Sequence, residues 1–118
     1  MKTEKIRGLI GLARRARQLT TGSRETRAGL RRGEVRLVLL AADGSPRDRE
    51  RLVRAAEEGN APTRIVGTRE ELGGWVGRGS VAVCGVLDAN LASEIRLQID
   101  REDGGSRGAR RNNGGQKS

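Results

Sequence analysis

The chain has 118 residues, a length that suits one domain with its own hydrophobic core. Its 24 basic and 15 acidic side chains give a net charge of +9 at pH 7, so anionic polymers are the first partners to consider. Histidine is absent and Cys84 is the only cysteine, which excludes Ser-His-Asp and Cys-His nucleophiles, zinc sites of histidines or several cysteines, and an intramolecular disulfide. Trp75 is the only aromatic residue, so binding of single strands by stacked aromatic side chains is not expected either.

The positive charge is concentrated near the N-terminus. Residues 1–36 carry 11 basic and 3 acidic side chains, residues 37–100 carry 8 and 10, and residues 101–118 carry 5 and 2. This distribution predicts one basic face rather than a uniformly basic surface. No stretch approaches the roughly 18 apolar residues of a transmembrane helix, and the first residues lack the apolar run of a signal peptide. We therefore expect a soluble, cytoplasmic protein without membrane contact.

Two helices are predicted in the N-terminal third. Apolar side chains recur at helical spacing between residues 5 and 19, with basic and polar side chains on the opposite side. The apolar positions are Ile6, Leu9, Ile10, Ala13 and Ala16, and the outer positions include Arg7, Arg14, Arg15 and Gln18. Gly22 and Ser23 then supply a turn and a candidate N-cap for a short second helix, which should run to about Arg32 and end at Gly33.

Strands and helices alternate in the rest of the chain. Residues 35–41 form a nearly continuous apolar run, typical of a central strand covered on both faces. Ser45, followed by a proline, marks a helix start, and this helix should end near Gly59. Thr68 predicts the next helix start, with Glu71 completing a capping box. The remaining elements are strands at residues 63–66 and 81–86 and a last helix at residues 90–99. The alternation predicts the α/β class, with helices on both faces of a small sheet.

The last 18 positions, residues 101–118, form a separate segment. They are rich in glycine and charge, show no periodicity, and include too few apolar side chains to offset the entropy of ordering. We expect a folded domain over residues 1–100, followed by a disordered basic tail. The tail either adds nonspecific affinity for RNA or is a solvated extension that aids solubility.

The stretch most informative about function is residues 20–27. A glycine turn that leads into a helix presents backbone N–H groups and the positive end of the helix dipole, where a phosphate or base edge can bind. Arg24, Arg27 and Arg31 extend this surface along the predicted helix. Glu25 has two interpretations: its carboxylate accepts hydrogen bonds from the N–H groups of a guanine, or it complements the dipole at the helix start.

Several segments together resemble a known family. They are residues 22–25, residues 32–43, Pro46, the Ala61-Pro62 pair, residues 68–73 and Gly77. Their order and spacing are similar to those of the kink-turn-binding ribosomal protein superfamily, and most of all to its small bacterial YlxQ-like members. The resemblance extends over residues 5–95 and leaves only the tail outside.

The resemblance implies a three-layer α/β/α sandwich with a mixed four-stranded sheet, to which a short strand near residues 19–21 contributes. It also implies RNA binding at the start of the second helix and at the loop before the last strand. With the arginines of the second helix, the candidate RNA-binding residues are Gly22, Ser23, Arg24, Glu25, Arg27, Arg31, Arg78, Gly79, Ser80 and Val81.

Kink-turn binders of this superfamily read sheared G·A pairs with an Asn-Glu pair and a lysine three residues beyond the glutamate. Glu25 matches the glutamate, whereas Arg24 stands in the place of the asparagine and Ala28 in that of the lysine. The resemblance therefore implies binding to structured RNA more firmly than strict kink-turn specificity.

The remaining chemistry-bearing residues favour structural roles. Trp75 either stacks on a base or covers the edge of a small core, and a lone tryptophan favours the core. Cys84, inside an apolar strand, is expected to be a buried thiol. The carboxylates lack the spacing of metal ligands, and the glycines of residues 73–79 lack the signature of a phosphate loop. We expect no metal, nucleotide or other cofactor.

The expected function is noncatalytic binding of structured RNA by a monomer, with ribosomal RNA or the ribosome as partner. The alternative is a protein-interaction module of the same fold that docks on an acidic translation or ribosome-assembly factor. An enzyme is not expected, because the sequence has no cofactor motif and no room for an additional catalytic domain.

Overall fold

In the computed structural model, which describes residues 2–103, helices and strands alternate as the sequence predicts. The helices are α1 (Lys2–Arg15), α2 (Ser23–Arg31), α3 (Pro46–Glu58), α4 (Arg69–Trp75) and α5 (Ala89–Asp103). The strands are β1 (Leu19–Thr21), β2 (Leu37–Leu40), β3 (Thr63–Ile65) and β4 (Val83–Val86). They form a mixed sheet of order β1-β4-β2-β3, in which β2 is parallel to β3 and β4 is antiparallel to both of its neighbours. The predicted α/β class is confirmed.

Strand β2 lies inside the sheet, and all four of its side chains are buried. Leu37 and Leu39 belong to a core that includes side chains of α1, α4 and α5. Val38 and Leu40 belong to a second core, on the opposite face, with side chains of α2 and α3. Because alternate side chains of a strand point to opposite faces, this one apolar run holds both layers of helices. The result is the expected three-layer sandwich.

Helix starts that the sequence marks are found in the structure. The hydroxyl of Ser45 accepts a hydrogen bond from the N–H of Asp48 (3.4 Å), with Pro46 at the first helical position of α3. The hydroxyl of Thr68 accepts from the N–H of Glu71 (3.1 Å), and the Glu71 carboxylate accepts from the N–H of Thr68 (2.9 Å). These bonds satisfy N–H groups that have no partner within the helix. The predicted cap and capping box are confirmed.

Helix α1 ends earlier than its apolar periodicity predicts. Arg17 adopts a left-handed backbone conformation (φ 61°), and the N–H of Gln18 donates to the carbonyl of Ala13 (2.8 Å), which closes the helix. The chain then enters β1, the short strand that the family resemblance implies. Pairing of this segment with β4 replaces the last turn of helix that was predicted to reach residue 19.

Helix α5 ends later than predicted. Ile99 is buried, and Glu102, one turn further on, is half-buried beside Ile6 and Trp75, so the helix continues to Asp103. Residues 101–103, which were predicted to belong to the tail, are therefore helical, and Glu102 packs beside the core. The rest of the predicted disordered tail, from residue 104 onward, lies outside the described residues. None of the described helices is long and apolar enough to cross a membrane.

Candidate nucleic-acid interface

Three connections meet at one edge of the sheet because of the direction of β4. Strands β1 and β2 both end at this edge, and β4, which is antiparallel to both, begins there. The β1–α2 turn, the β2–α3 turn and the α4–β4 loop therefore come together, although they are far apart in sequence. The N-termini of α2 and α3, with their positive dipole ends, lie at the same edge, and the N-terminus of α2 has no side-chain cap.

The three connections enclose a groove with a volume of about 200 Å³. Its apolar floor includes Leu40, Leu52 and Val83, and polar and charged groups from each connection form its walls. The walls are lined by Thr21, Gly22 and Ser23 from the first connection, Gly44, Ser45, Asp48 and Arg49 from the second, and Arg78, Ser80 and Val81 from the third. Five of the ten predicted site residues thus line one groove: Gly22, Ser23, Arg78, Ser80 and Val81.

The β1–α2 turn is fixed by Gly22 and Glu25. Gly22 is the N-cap of α2, with φ 92° and ψ 160°, a conformation that is essentially restricted to glycine. Ser23, predicted as a candidate cap, is instead the first helical residue, and no side chain caps the helix. The Oε1 atom of Glu25 accepts a hydrogen bond from the N–H of Thr21 (2.8 Å) and so ties the first turn of α2 to the end of β1.

The three predicted arginines of α2 lie at different distances from the groove. Arg24 is exposed, directly after Ser23 in the first turn. Arg27 is half-buried one turn beyond Ser23, and it is not among the residues that line the groove. Arg31 lies about 12 Å along the helix axis from Ser23. The structure therefore does not bring Arg31 to the groove.

The loop before β4 is held by close contact with α4. The N–H of Arg78 donates to the carbonyl of Gly73 (2.6 Å), and the N–H of Val81 donates to the carbonyl of Arg69 (3.0 Å). A Cβ atom at Gly73 would lie 2.7 Å from the backbone nitrogen of Ser80, so only glycine permits this approach. Gly79, the one predicted loop residue that does not line the groove, is exposed.

Sequence reasoning missed the wall that α3 contributes. Nη2 of Arg49 donates to the carbonyls of Ala41 (3.3 Å) and Ala42 (2.8 Å), which fixes the side chain over the end of β2. The sequence signals a helix start at Ser45 but does not show that this start faces the one at Ser23. The order and direction of the strands determine that relationship.

Two carboxylates outside the groove have structural roles. Asp43 accepts a hydrogen bond from the N–H of Arg69 (2.8 Å), and this bond holds the pKa of Asp43 below its usual value. Asp88 accepts from the N–H of Leu91 (2.8 Å) at the start of α5. Within the described residues, no group of three or more His, Cys, Asp or Glu side chains is arranged to hold a metal ion.

Cys84 and Trp75 both belong to the core. Cys84 is fully buried in β4, opposite Thr21 of β1, and burial raises the pKa of its thiol to about 12. Trp75 is half-buried and packs on the core that α1, α4 and α5 share. The expectations of a buried thiol and a core tryptophan are confirmed, and neither side chain lines the groove.

The structure defines a small α/β protein with a groove at the edge of its mixed sheet. Residues 4–95 match the Ribosomal protein L7Ae/L30e/S12e/Gadd45 family, and the chain belongs to this family.

Similar proteins and structures come from both bacteria and a eukaryote. The chain is 28% identical over 92 residues to the RNA-binding protein YlxQ of Bacillus subtilis (strain 168). The matched residues make up 78% of this chain and 92% of that protein. A structure from Bacillus halodurans C, described as a protein with unknown function, has a TM-score of 0.78 and 34% identity, covering 81% of this chain and 97% of that one. The structure of the Giardia lamblia 15.5kD RNA binding protein has a TM-score of 0.72 at 21% identity and shares the fold. The match covers 85% of this chain and 88% of that one.

Proposed function

We propose that this protein is a noncatalytic RNA-binding protein that recognises folded RNA, with ribosomal RNA as its target. It acts as a monomer in the cytoplasm, without a metal or cofactor. The observation that carries the proposal is the meeting of the α2 start, the α3 start and the Arg78 loop around one groove. Membership of a ribosomal protein family and the similarity to YlxQ, whose name describes RNA binding, support it.

The groove has the chemistry that RNA requires. Backbone N–H groups at the start of α2, where no side chain caps the helix, attract phosphate, and Arg78 adds a positive charge to the lining of the groove. The apolar floor of the groove is a surface on which the flat face of a base can pack. The single aromatic side chain, Trp75, is committed to the core, so the protein lacks the stacking surface of a single-strand binder. Folded RNA, recognised through its shape, backbone and base edges, suits this surface best.

Glu25 is the residue that we propose to read bases. Its Oε1 atom is held by the N–H of Thr21, and within the described residues its Oε2 atom has no hydrogen-bond partner. An acceptor fixed in this way suits the N–H groups of a guanine, as in the sheared G·A pairs of a kink-turn. Arg24, exposed beside it, offers donors at the position where kink-turn binders have an asparagine.

The test uses two RNA hairpins, one with a kink-turn and one in which its sheared G·A pairs are replaced by G·C pairs. The double variant R24A/E25A should bind the kink-turn hairpin at least about tenfold more weakly than the wild type, since loss of base contacts costs about 1–3 kcal/mol. The matched control is E50A/R51A, an adjacent Glu and Arg pair on α3 that is exposed and does not line the groove.

Equal loss in both double variants, or no binding by the wild type, would contradict the proposal. Equal affinity of the wild type for both hairpins would retain RNA binding but remove kink-turn specificity. If R24A/E25A leaves RNA affinity unchanged while an acidic protein partner still co-purifies, the protein-interaction alternative is favoured.

A further inference from the structure

Three arginines surround the C-terminal end of α1, outside the groove. Arg14, Arg15 and Arg17 are all exposed. Within residues 4–102 their guanidinium groups make no ion pair, because the ion pairs there use Arg32, Arg64 and Arg69. We call Arg14, Arg15 and Arg17 the α1 arginine cluster. Its charge is therefore available to a partner outside the chain.

Arg17 occupies a backbone position that favours glycine. Its φ of 61° is left-handed, and a Cβ atom in this region crowds the backbone. Among the described residues, comparable φ angles otherwise occur at Asn60 (57°) and at Gly33 (73°), Gly67 (65°) and Gly77 (77°), and asparagine and glycine tolerate this conformation better than arginine does. The helix dipole favours cations near a helix C-terminus, but it does not require one at the left-handed position. An arginine here reduces stability, and strain of this kind is characteristic of residues kept for function.

Arg14 connects the cluster to the groove. A Cβ atom at Gly77 would lie 2.6 Å from Nη2 of Arg14, so the guanidinium rests directly against the backbone of this glycine. The next residue, Arg78, lines the groove. The positive surface therefore continues from the groove across the α4–β4 loop to the end of α1.

We propose that the α1 arginine cluster is a second RNA contact, which binds the phosphate backbone of a regular duplex that leads out of the folded site. The inference rests on the proposed function, because the duplex is the stem of the RNA held in the groove. Guanidinium groups bind phosphate in a bidentate manner. The bases of a regular RNA helix are poorly accessible to side chains, so backbone contacts are the recognition that such a stem permits.

The experiment uses a 24-base-pair RNA duplex without an internal loop, together with the kink-turn hairpin trimmed to a short stem. Binding of both is measured between about 50 and 200 mM salt. The test variant is R14A/R15A/R17G, in which Arg17→Gly removes the strain and should raise Tm by a few degrees, so that weaker binding does not reflect unfolding. The control is R51A/R54A/R96A, which removes three other exposed arginines that do not line the groove and that make no ion pair with another described residue.

For the plain duplex, affinity falls as the salt concentration rises, and each phosphate contact contributes about 0.9 to the steepness of the plot of log affinity against log salt. The test variant should therefore make this plot shallower by about 2–3. The control should change the slope by less than about 1. The trimmed hairpin should bind the test variant within about threefold of the wild type.

Equal slopes for the two triple variants would show that only total charge matters and would overturn the inference. Failure of the wild type to bind the duplex, or its displacement by polyglutamate at equal charge, would overturn it too. These outcomes are distinct from failure of the proposed function, which would appear as kink-turn hairpin binding that R24A/E25A does not weaken.

Discussion

The carboxylate of Glu25 accepts a hydrogen bond from the backbone N–H of Thr21 at 2.8 Å, across the turn that begins the candidate interface. Glu25 thereby stabilises the junction between β1 and α2, in addition to any contact with RNA. A structural role and a role in RNA binding are compatible, because one carboxylate oxygen holds the turn and the other has no hydrogen-bond partner within the described residues. Two substitutions separate the roles.

Replacing Glu25 by Gln should preserve the fold but weaken RNA binding. The amide oxygen still accepts from Thr21, so Tm should change little. The amide N–H₂ group, however, cannot accept from guanine donors, and affinity for the kink-turn hairpin should fall about tenfold. Replacing Glu25 by Ala removes the bond as well and should lower the free energy of unfolding by about 1 kcal/mol. If Gln binds as tightly as Glu, the role of this residue is structural only.

The backbone of Gly22 makes the turn sensitive to any side chain. A Cβ atom there meets nothing within 4 Å, so Gly22→Ala tests the φ of 92° rather than packing. We expect a loss of about 1–3 kcal/mol in denaturant unfolding and weaker RNA binding, because the N–H groups of α2 move. Gly8→Ala in α1, also in open space but at a helical position, should stabilise the protein by about 0.5–1 kcal/mol. Equal effects of the two variants would contradict this explanation.

Neighbouring glycines in α4 provide a test of how the Arg78 loop is held. Gly73→Ala would place a Cβ atom 2.7 Å from the nitrogen of Ser80, so the loop must shift. We expect a loss of about 1–3 kcal/mol in stability and a clear decrease in RNA affinity. Gly74→Ala meets nothing within 4 Å and should leave affinity unchanged. Both are measured by thermal unfolding and hairpin binding, and unchanged binding by Gly73→Ala would show that the loop position is not important.

The buried thiol of Cys84 should make stability fall at high pH. Burial raises its pKa from the usual 9.0 to about 12, so the unfolded chain loses this proton first as the pH rises. The contribution is fully present below pH 9 and is lost as the pH rises toward 12, with a slope of up to about 1.4 kcal/mol per pH unit. The chain has no tyrosine or histidine to obscure the effect.

The measurement is the free energy of unfolding of wild type and Cys84→Ala between pH 8 and 11. The difference between the two proteins should shrink with pH, and a thiol reagent at pH 8 should modify Cys84 only after unfolding. A constant difference, or rapid modification of the folded protein, would contradict the burial argument.

Local sequence determined the features that depend on neighbouring residues. The caps at Ser45 and Thr68 and the central strand β2 follow from short-range hydrogen bonding and from a continuous apolar run, so they were predicted correctly. The concentration of basic side chains near the N-terminus favours a polyanion as partner, and the absence of histidine excludes Ser-His-Asp and Cys-His nucleophiles.

Tertiary structure decided what depends on contacts between distant segments. The direction of β4 brings Arg78 to the same groove as Ser23, and the same topology adds Arg49, which the sequence did not reveal as a site residue. Pairing of β1 with β4 ends α1 at Arg15, against its apolar periodicity. These outcomes depend on strand order and on backbone approach at single glycines, which the pattern of apolar and polar residues along one segment does not encode.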